Sequence, residues 1–186
     1  MSGLEDAGKG TVDLFVCSDN AELCQAEVSW NVTDPTGKSL TRGALPLEIL
    51  PRQSRKVKTL ELKGLIDQVG ATNVLTWLRL AVGGKTVSEN LVLFTAPKEI
   101  KLVDPQLKYT VTTAGKGMVV MLTATHPALW TWLELEETDA TYSDNFVHVT
   151  AENPARIVVQ PRRSMSKSQF TKALRVRSLF NTYSEL

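Results

Sequence analysis

The chain has 186 residues, with 21 basic against 20 acidic side chains for a formal net charge of +1; 42% of its residues are hydrophobic and 22% charged. That profile is globular rather than disordered, and so balanced a charge sets up no long-range field to draw in nucleic acid or an anionic membrane. No window nears the roughly 18 consecutive apolar residues that cross a bilayer as a helix.

Residues 1–10 are polar and carry Glu5 and Asp6 but no apolar signal-peptide core, so they read as a leader or tag-like segment ahead of the fold. The compartment stays unassigned. Strand signals then recur through residues 11–96. Residues 12–16 and 24–32 are expected to form a first pair, and Cys24, Ala26, Val28, Trp30 and Val32 share one face at period two. Asp34, Pro35, Thr36 and Gly37 close the second strand with turn chemistry, Pro presetting φ and Gly accepting the left-handed conformation. Cys17 and Cys24 are the only cysteines. They are read as buried free thiols, with a cross-hairpin disulfide as the alternative.

Further strands are expected at residues 39–49 and 55–62, a helical turn at 64–68, and a hairpin of 73–82 with 85–94 across Gly83 and Gly84. A Gly-Gly pair suits a primed turn because both central residues need positive φ. Pro97 and Pro105 bound a charged amphipathic stretch, residues 97–105, which reads as a linker entering the next domain as an edge strand and exposing apolar side chains. In residues 106–186 strands are expected at 108–113, 118–125, 129–135, 145–149, 155–160 and 174–180, with 162–167 an exposed basic loop. Asp144 and Asn145 read as turn residues whose short side chains bond nearby backbone, leading into a strand at Phe146. Two runs of about six strands around a proline-bounded joint predict an all-β chain of two tandem immunoglobulin-like antiparallel β-sandwiches; a single large barrel is the alternative.

No residue pattern points to catalysis. His126 and His148 have no neighbouring nucleophile, no Gly-rich loop follows a strand to cradle a phosphate, and the Cys and His residues lack metal-ligand spacing, so catalytic, cofactor and metal assignments are all none. Glu134, Glu136, Glu137 and Asp139 invite a glycosidase reading, but Glu134 and Glu136 alternate with Leu133 and Leu135 and so read as a solvated strand face. Trp30 and Trp77 are assigned to the core. Trp130 and Trp132 flank Thr131 and so share a side; core or interdomain contact is the first reading for them. Sugar stacking is the second, with Tyr142 added to the platform. Asn31, Val32 and Thr33 form a glycosylation sequon, read as incidental on an outward strand face.

Residues 84–94, with Val87, Ser88 and Asn90 before Phe94, run at once into the Lys-rich residues 97–102. Farther on come Tyr142, Ser143, Asp144, Asn145 and Phe146, then residues 174–183 ending in Ser178, Leu179, Thr182 and Tyr183. In this order the motifs resemble the C-terminal immunoglobulin-like domains of family 2 glycoside hydrolases of the β-mannosidase type, or a closely related exo-glycosidase. The resemblance implies a parent that removes terminal β-linked mannose with retention, using two Glu residues on a (β/α)₈ barrel. It also implies that these domains pack against that barrel and the N-terminal domains as partners. A barrel needs about 250 residues with alternating helices, and the family's Asn-Glu dipeptide is absent, Glu89 and Asn90 having the reverse order. No catalytic residue carries over. The rival readings are a carbohydrate-binding module, with a glycan as partner, and a standalone immunoglobulin-like interaction module.

Overall fold

The computed structural model describes residues 1–115, 117–136 and 138–183. The chain divides into two compact units, Met1–Lys101 and a second from Leu102 onward. Each is an antiparallel sandwich of a three-stranded and a four-stranded sheet, the layer arrangement of an immunoglobulin-like fold.

In the first unit the strands are β1 (Ser2–Asp6), β2 (Thr11–Ser18), β3 (Cys24–Thr33), β4 (Ser39–Ile49), β5 (Gln53–Glu61), β6 (Leu75–Val82) and β7 (Lys85–Leu93), with helix α1 (Lys63–Val69) after β5. One sheet runs β1-β2-β5, the other β4-β3-β6-β7. Alternation builds the core: Val12, Leu14 and Val16 turn inward from β2 and meet Val28 and Val32 of β3 and Leu78 and Leu80 of β6. Pro46 lies on β4, an edge strand, where a missing N–H breaks no inner ladder. At the Asp34 turn, Asp34 Oδ1 accepts from the N–H groups of Thr36 and Lys38.

Several expectations change here. Residues 2–6 are not a leader outside the fold but a strand paired with β2, Ser2 opposite Phe15 and Asp6 opposite Thr11. Residues 12–16 and 24–32 do not pair with each other: β2 and β3 lie in different sheets, since residues 19–23 cross between layers instead of turning a hairpin. Cys17 and Cys24 are therefore both free, and neither is buried; Cys17 is exposed beside Ser54 Oγ, 3.0 Å away. Trp30 packs against the core, over Gly43 and under Lys58 Nζ. Trp77 does not join it, because it pairs with Asn31 and Leu91 on the alternate face from Leu78. There its indole N–H donates to Thr33 Oγ1 at 3.0 Å, which occupies the sequon's buried threonine hydroxyl.

Residues 97–105 are taken up by the two units rather than forming a free linker or an edge strand. Pro97–Glu99 form a single 3-10 turn, Ile100 is buried, and the Lys101 N–H donates to Thr72 O. Pro105 is buried too, its carbonyl accepting from the N–H groups of Thr125 and His126. The expected exposed apolar side chains at this joint are thus absent among Ile100, Leu102, Val103 and Pro105, all buried or half-buried.

The second unit comprises β8 (Lys108–Ala114), β9 (Gly117–Thr123), β10 (Ala128–Leu135), β11 (Ala140–Tyr142), β12 (Val147–Val149), β13 (Ala155–Pro161), α2 (Lys167–Ala173) and β14 (Leu174–Arg177). Its sheets are β12-β10-β14 and β11-β13-β9-β8. Val120, Leu122, Leu133, Ile157 and Val159 fill the space between them, with Phe170 of α2 fully buried at one side. The basic loop is shorter than expected because Ser166 starts α2 with a capping box: Ser166 Oγ accepts from the Gln169 N–H and Gln169 Oε1 from the Ser166 N–H.

Candidate functional site: an aromatic face on the second sandwich

Strand β10 sorts its side chains by alternation. Thr131, Leu133 and Leu135 are buried on the core side, while Trp130, Trp132 and Glu134 are only partly covered on the other. The neighbouring strands complete that outer face. Arg177 and Arg175 of β14 stand directly opposite Trp132 and Glu134, and on the β12 side Phe146 and His148 stand beside Trp132 and Trp130. The Trp132 and Phe146 rings are stacked at 6.1 Å and 19°; those of Trp130 and His148 meet edge-on at 5.3 Å and 61°. The Trp130 backbone N–H also donates to His148 Nδ1 at 3.3 Å.

The corner before β12 sets this arrangement. It carries the chain from β11 in one sheet to β12 in the other, and two of its polar residues each tie down one layer. Ser143 holds the four-stranded sheet, donating its N–H to Val158 O and accepting the Val158 N–H at Oγ. Asn145 holds the three-stranded sheet: its Oδ1 accepts the Leu133 N–H at 2.8 Å and its Nδ2 donates to Leu133 O at 3.0 Å. The carboxamide thus replaces one residue of a strand partner. Asp144 Oδ1 accepts the Asn145 N–H at 2.8 Å, fixing the carboxamide's approach. Phe146 then adopts φ 60°, in the left-handed region, so the strand begins at Val147 and not at Phe146. Trp130 is likewise left-handed, at φ 44°, where the β10–β12 register shifts between Ala128 and Thr131.

Of the three aromatics expected to share a platform, Trp130 and Trp132 are both partly covered on β10, each ring against a different partner, His148 and Phe146. Tyr142 lies on β11 of the opposite sheet, pairs with Val159 and packs against the core; burial raises its hydroxyl pKa above the ordinary value. Phe146, 62% exposed, stands against Trp132 instead. The approach of Arg177 depended on the β14 register and was not legible in the sequence.

The acidic residues of this face are engaged. Glu134 Oε1 binds Arg177 and Glu136 Oε2 binds Arg175, each at 2.5 Å; at the end of the other sheet Asp139 faces Arg162 at 3.4 Å. Glu137 lies outside the described residues. Among the described residues no group of three or more His, Cys, Asp or Glu side chains could hold a metal ion, and no helix is long and apolar enough to cross a membrane. Chemically, the face offers stacking surface and paired hydrogen-bonding groups rather than a free acid and base.

Comparison with known proteins bears on what carries this face. Comparison with curated protein sequences gives no match. Among solved structures, a β-D-mannosidase from Dictyoglomus thermophilum is similar over 95% of this chain and 21% of its own length, with TM-score 0.77 and 17% identity. An exo-chitosanase from Amycolatopsis orientalis is similar over 92% of this chain and 24% of its own, with TM-score 0.60 and 11% identity. The chain thus spans about a fifth to a quarter of the length of these relatives, and at such identities the likeness is one of fold. Residues 10–99 match the family described as a mannosidase Ig/CBM-like domain, and residues 102–182 match Ig_mannosidase, an Ig-fold domain. The chain is therefore a tandem of two mannosidase-type immunoglobulin-fold domains, one from each of these families.

Proposed function

We propose that the pair is the non-catalytic accessory part of a β-mannosidase-like glycoside hydrolase. The parent hydrolyses terminal β-D-mannose residues with retention on a (β/α)₈ barrel outside these residues, and the sandwiches support that barrel by packing against it and the N-terminal domains. One observation carries the reading: nearly the whole chain superposes on only 21% of a β-D-mannosidase, a share that accommodates two sandwiches and leaves the catalytic body elsewhere. The ion pairs of Glu134 and Glu136 add to it, since both carboxylates are already held by guanidinium groups of the neighbouring strand. An exo-glucosaminidase parent is the second reading, favoured by the likeness to the exo-chitosanase.

The test is an assay of the purified chain on p-nitrophenyl β-D-mannopyranoside and the matching β-D-glucosaminide. The expected result is no p-nitrophenol above the blank. Turnover that co-purifies with the folded chain and disappears in Glu134→Gln or Glu136→Gln overturns the non-catalytic reading.

A further inference from the structure

We propose that the outer face of β10 and β12 binds a neutral hexopyranose chain, with the Phe146 ring, backed by Trp132, as its stacking surface and the Glu134–Arg177 pair as its hydrogen-bonding rim. Three observations converge on it. The first is conformational. Phe146 and Trp130 both hold left-handed backbone, a region that non-glycine residues rarely adopt. Phe146 is also largely exposed and belongs to neither core cluster, so the sandwich gains little burial from placing its ring there. Rigid surroundings that impose such conformations, here the Asn145 clamp on Leu133 and the β10 register shift, are characteristic of ligand-contact positions.

The second is the stacking surface. The Phe146 ring is stacked on Trp132, within 19° of parallel and 6.1 Å away, and being 62% exposed it presents a π surface that suits the polarised C–H groups on one side of a pyranose.

The third is charge. Glu134 and Glu136 are matched by Arg177 and Arg175, so the rim is balanced and favours neither an anionic nor a cationic ligand. Covering these pairs with an apolar protein surface would desolvate four charges. Vicinal hydroxyls, which both donate and accept, keep the carboxylate and guanidinium hydrogen-bonded. A neutral polyol with an apolar face is the chemistry that satisfies ring and rim together.

This inference stands apart from the accessory reading, because sugar binding by the folded chain holds whatever the parent hydrolyses. The test uses residues 1–186. Mannohexaose and cellohexaose serve as neutral probes, chitosan hexasaccharide and an oligogalacturonide as charged ones, read by indole N–H chemical shifts and tryptophan fluorescence. A saturable shift with at least one neutral probe, stronger than with either charged probe, is expected. Phe146→Asn removes the ring while suiting the left-handed backbone, so it should weaken binding about tenfold or more without lowering the melting temperature; Trp132→Ala should do the same to binding. Trp77→Phe, on the other sandwich, should leave binding intact. Three results overturn the proposal: no saturable shift with either neutral probe on folded protein, binding indifferent to Phe146→Asn and Trp132→Ala, or a dimer that Phe146→Asn disperses, which would make a second copy the occupant.

Discussion

Replacing Asn145 should unfold the second sandwich more readily than any comparably exposed substitution, because one carboxamide satisfies both backbone groups of Leu133. Asn145→Ala deletes the bonds at 2.8 and 3.0 Å and leaves a partly buried N–H and C=O without these partners. Each bond contributes about 0.5–1.5 kcal/mol net, and an abandoned buried group raises the cost toward 1–3 kcal/mol, so the loss should total about 2–4 kcal/mol. For a domain of 60–100 residues that lowers the melting temperature by about 8–32 °C. Asn145→Asp separates the two bonds. A carboxylate still accepts from Leu133 N–H but confronts Leu133 O with no donor, which raises its folded pKa above the unfolded value of about 3.9. A raised pKa means stability present below the unfolded value and lost as pH rises through the folded one. The Asp variant should therefore lose stability from acid toward neutral pH relative to Asn145→Ala. Urea titrations followed by tryptophan fluorescence across that pH range measure both. A loss under about 0.5 kcal/mol in Asn145→Ala, or no pH-dependent difference between the variants, refutes the clamp.

Other consequences follow from single contacts. A Cβ on Gly43 would sit 2.3 Å from Cζ2 of Trp30, so Gly43→Ala should destabilise the first sandwich by about 1–3 kcal/mol, and Trp30→Leu in the same chain should relieve part of it; additive losses in urea unfolding would contradict the contact. Burial raises the Tyr142 hydroxyl pKa, which contributes stability below the ordinary value of about 10 that is lost as pH rises through the folded value. Tyr142→Phe should accordingly flatten the alkaline limb of the stability curve above about pH 10, and an unchanged limb would count against it. Both cysteines should alkylate with iodoacetamide in the folded chain without reductant, Cys17 ahead of the half-buried Cys24. Mass spectrometry showing neither modified would mean they are joined.

The main strands were legible where the period-two signal was strong, as in Val12, Leu14 and Val16 or in Thr131, Leu133 and Leu135. β1 was not, for a physical reason: its core-facing position is Gly3, where a Cβ would lie 2.5 Å from Val92 and 2.6 Å from Leu78. The residue that lets the strand pack thus removes the apolar signal that would reveal it, and Leu4 points outward. α2 escaped similarly, since a seven-residue helix with Phe170 alone buried shows no amphipathic period. At the candidate site, the shared side of Trp130 and Trp132 followed from alternation. Phe146 replaced Tyr142 beside Trp132 because the Ser143 to Asn145 corner changes sheets, and sheet membership is a tertiary fact. The corner's chemistry was half visible: Asp144 does bond the adjacent backbone, but the reach of Asn145 across to Leu133 spans 12 positions and has no local signature.

The accessory reading is tested most directly in the complete polypeptide that carries these residues, by measuring β-mannoside hydrolysis and thermal unfolding with residues 1–186 present and deleted. The account predicts a β-mannosidase whose catalytic Glu residues lie outside this segment and whose melting temperature and folded yield fall when the segment is removed. A polypeptide without glycosidase activity, or an enzyme equally stable and active after the deletion, would contradict it.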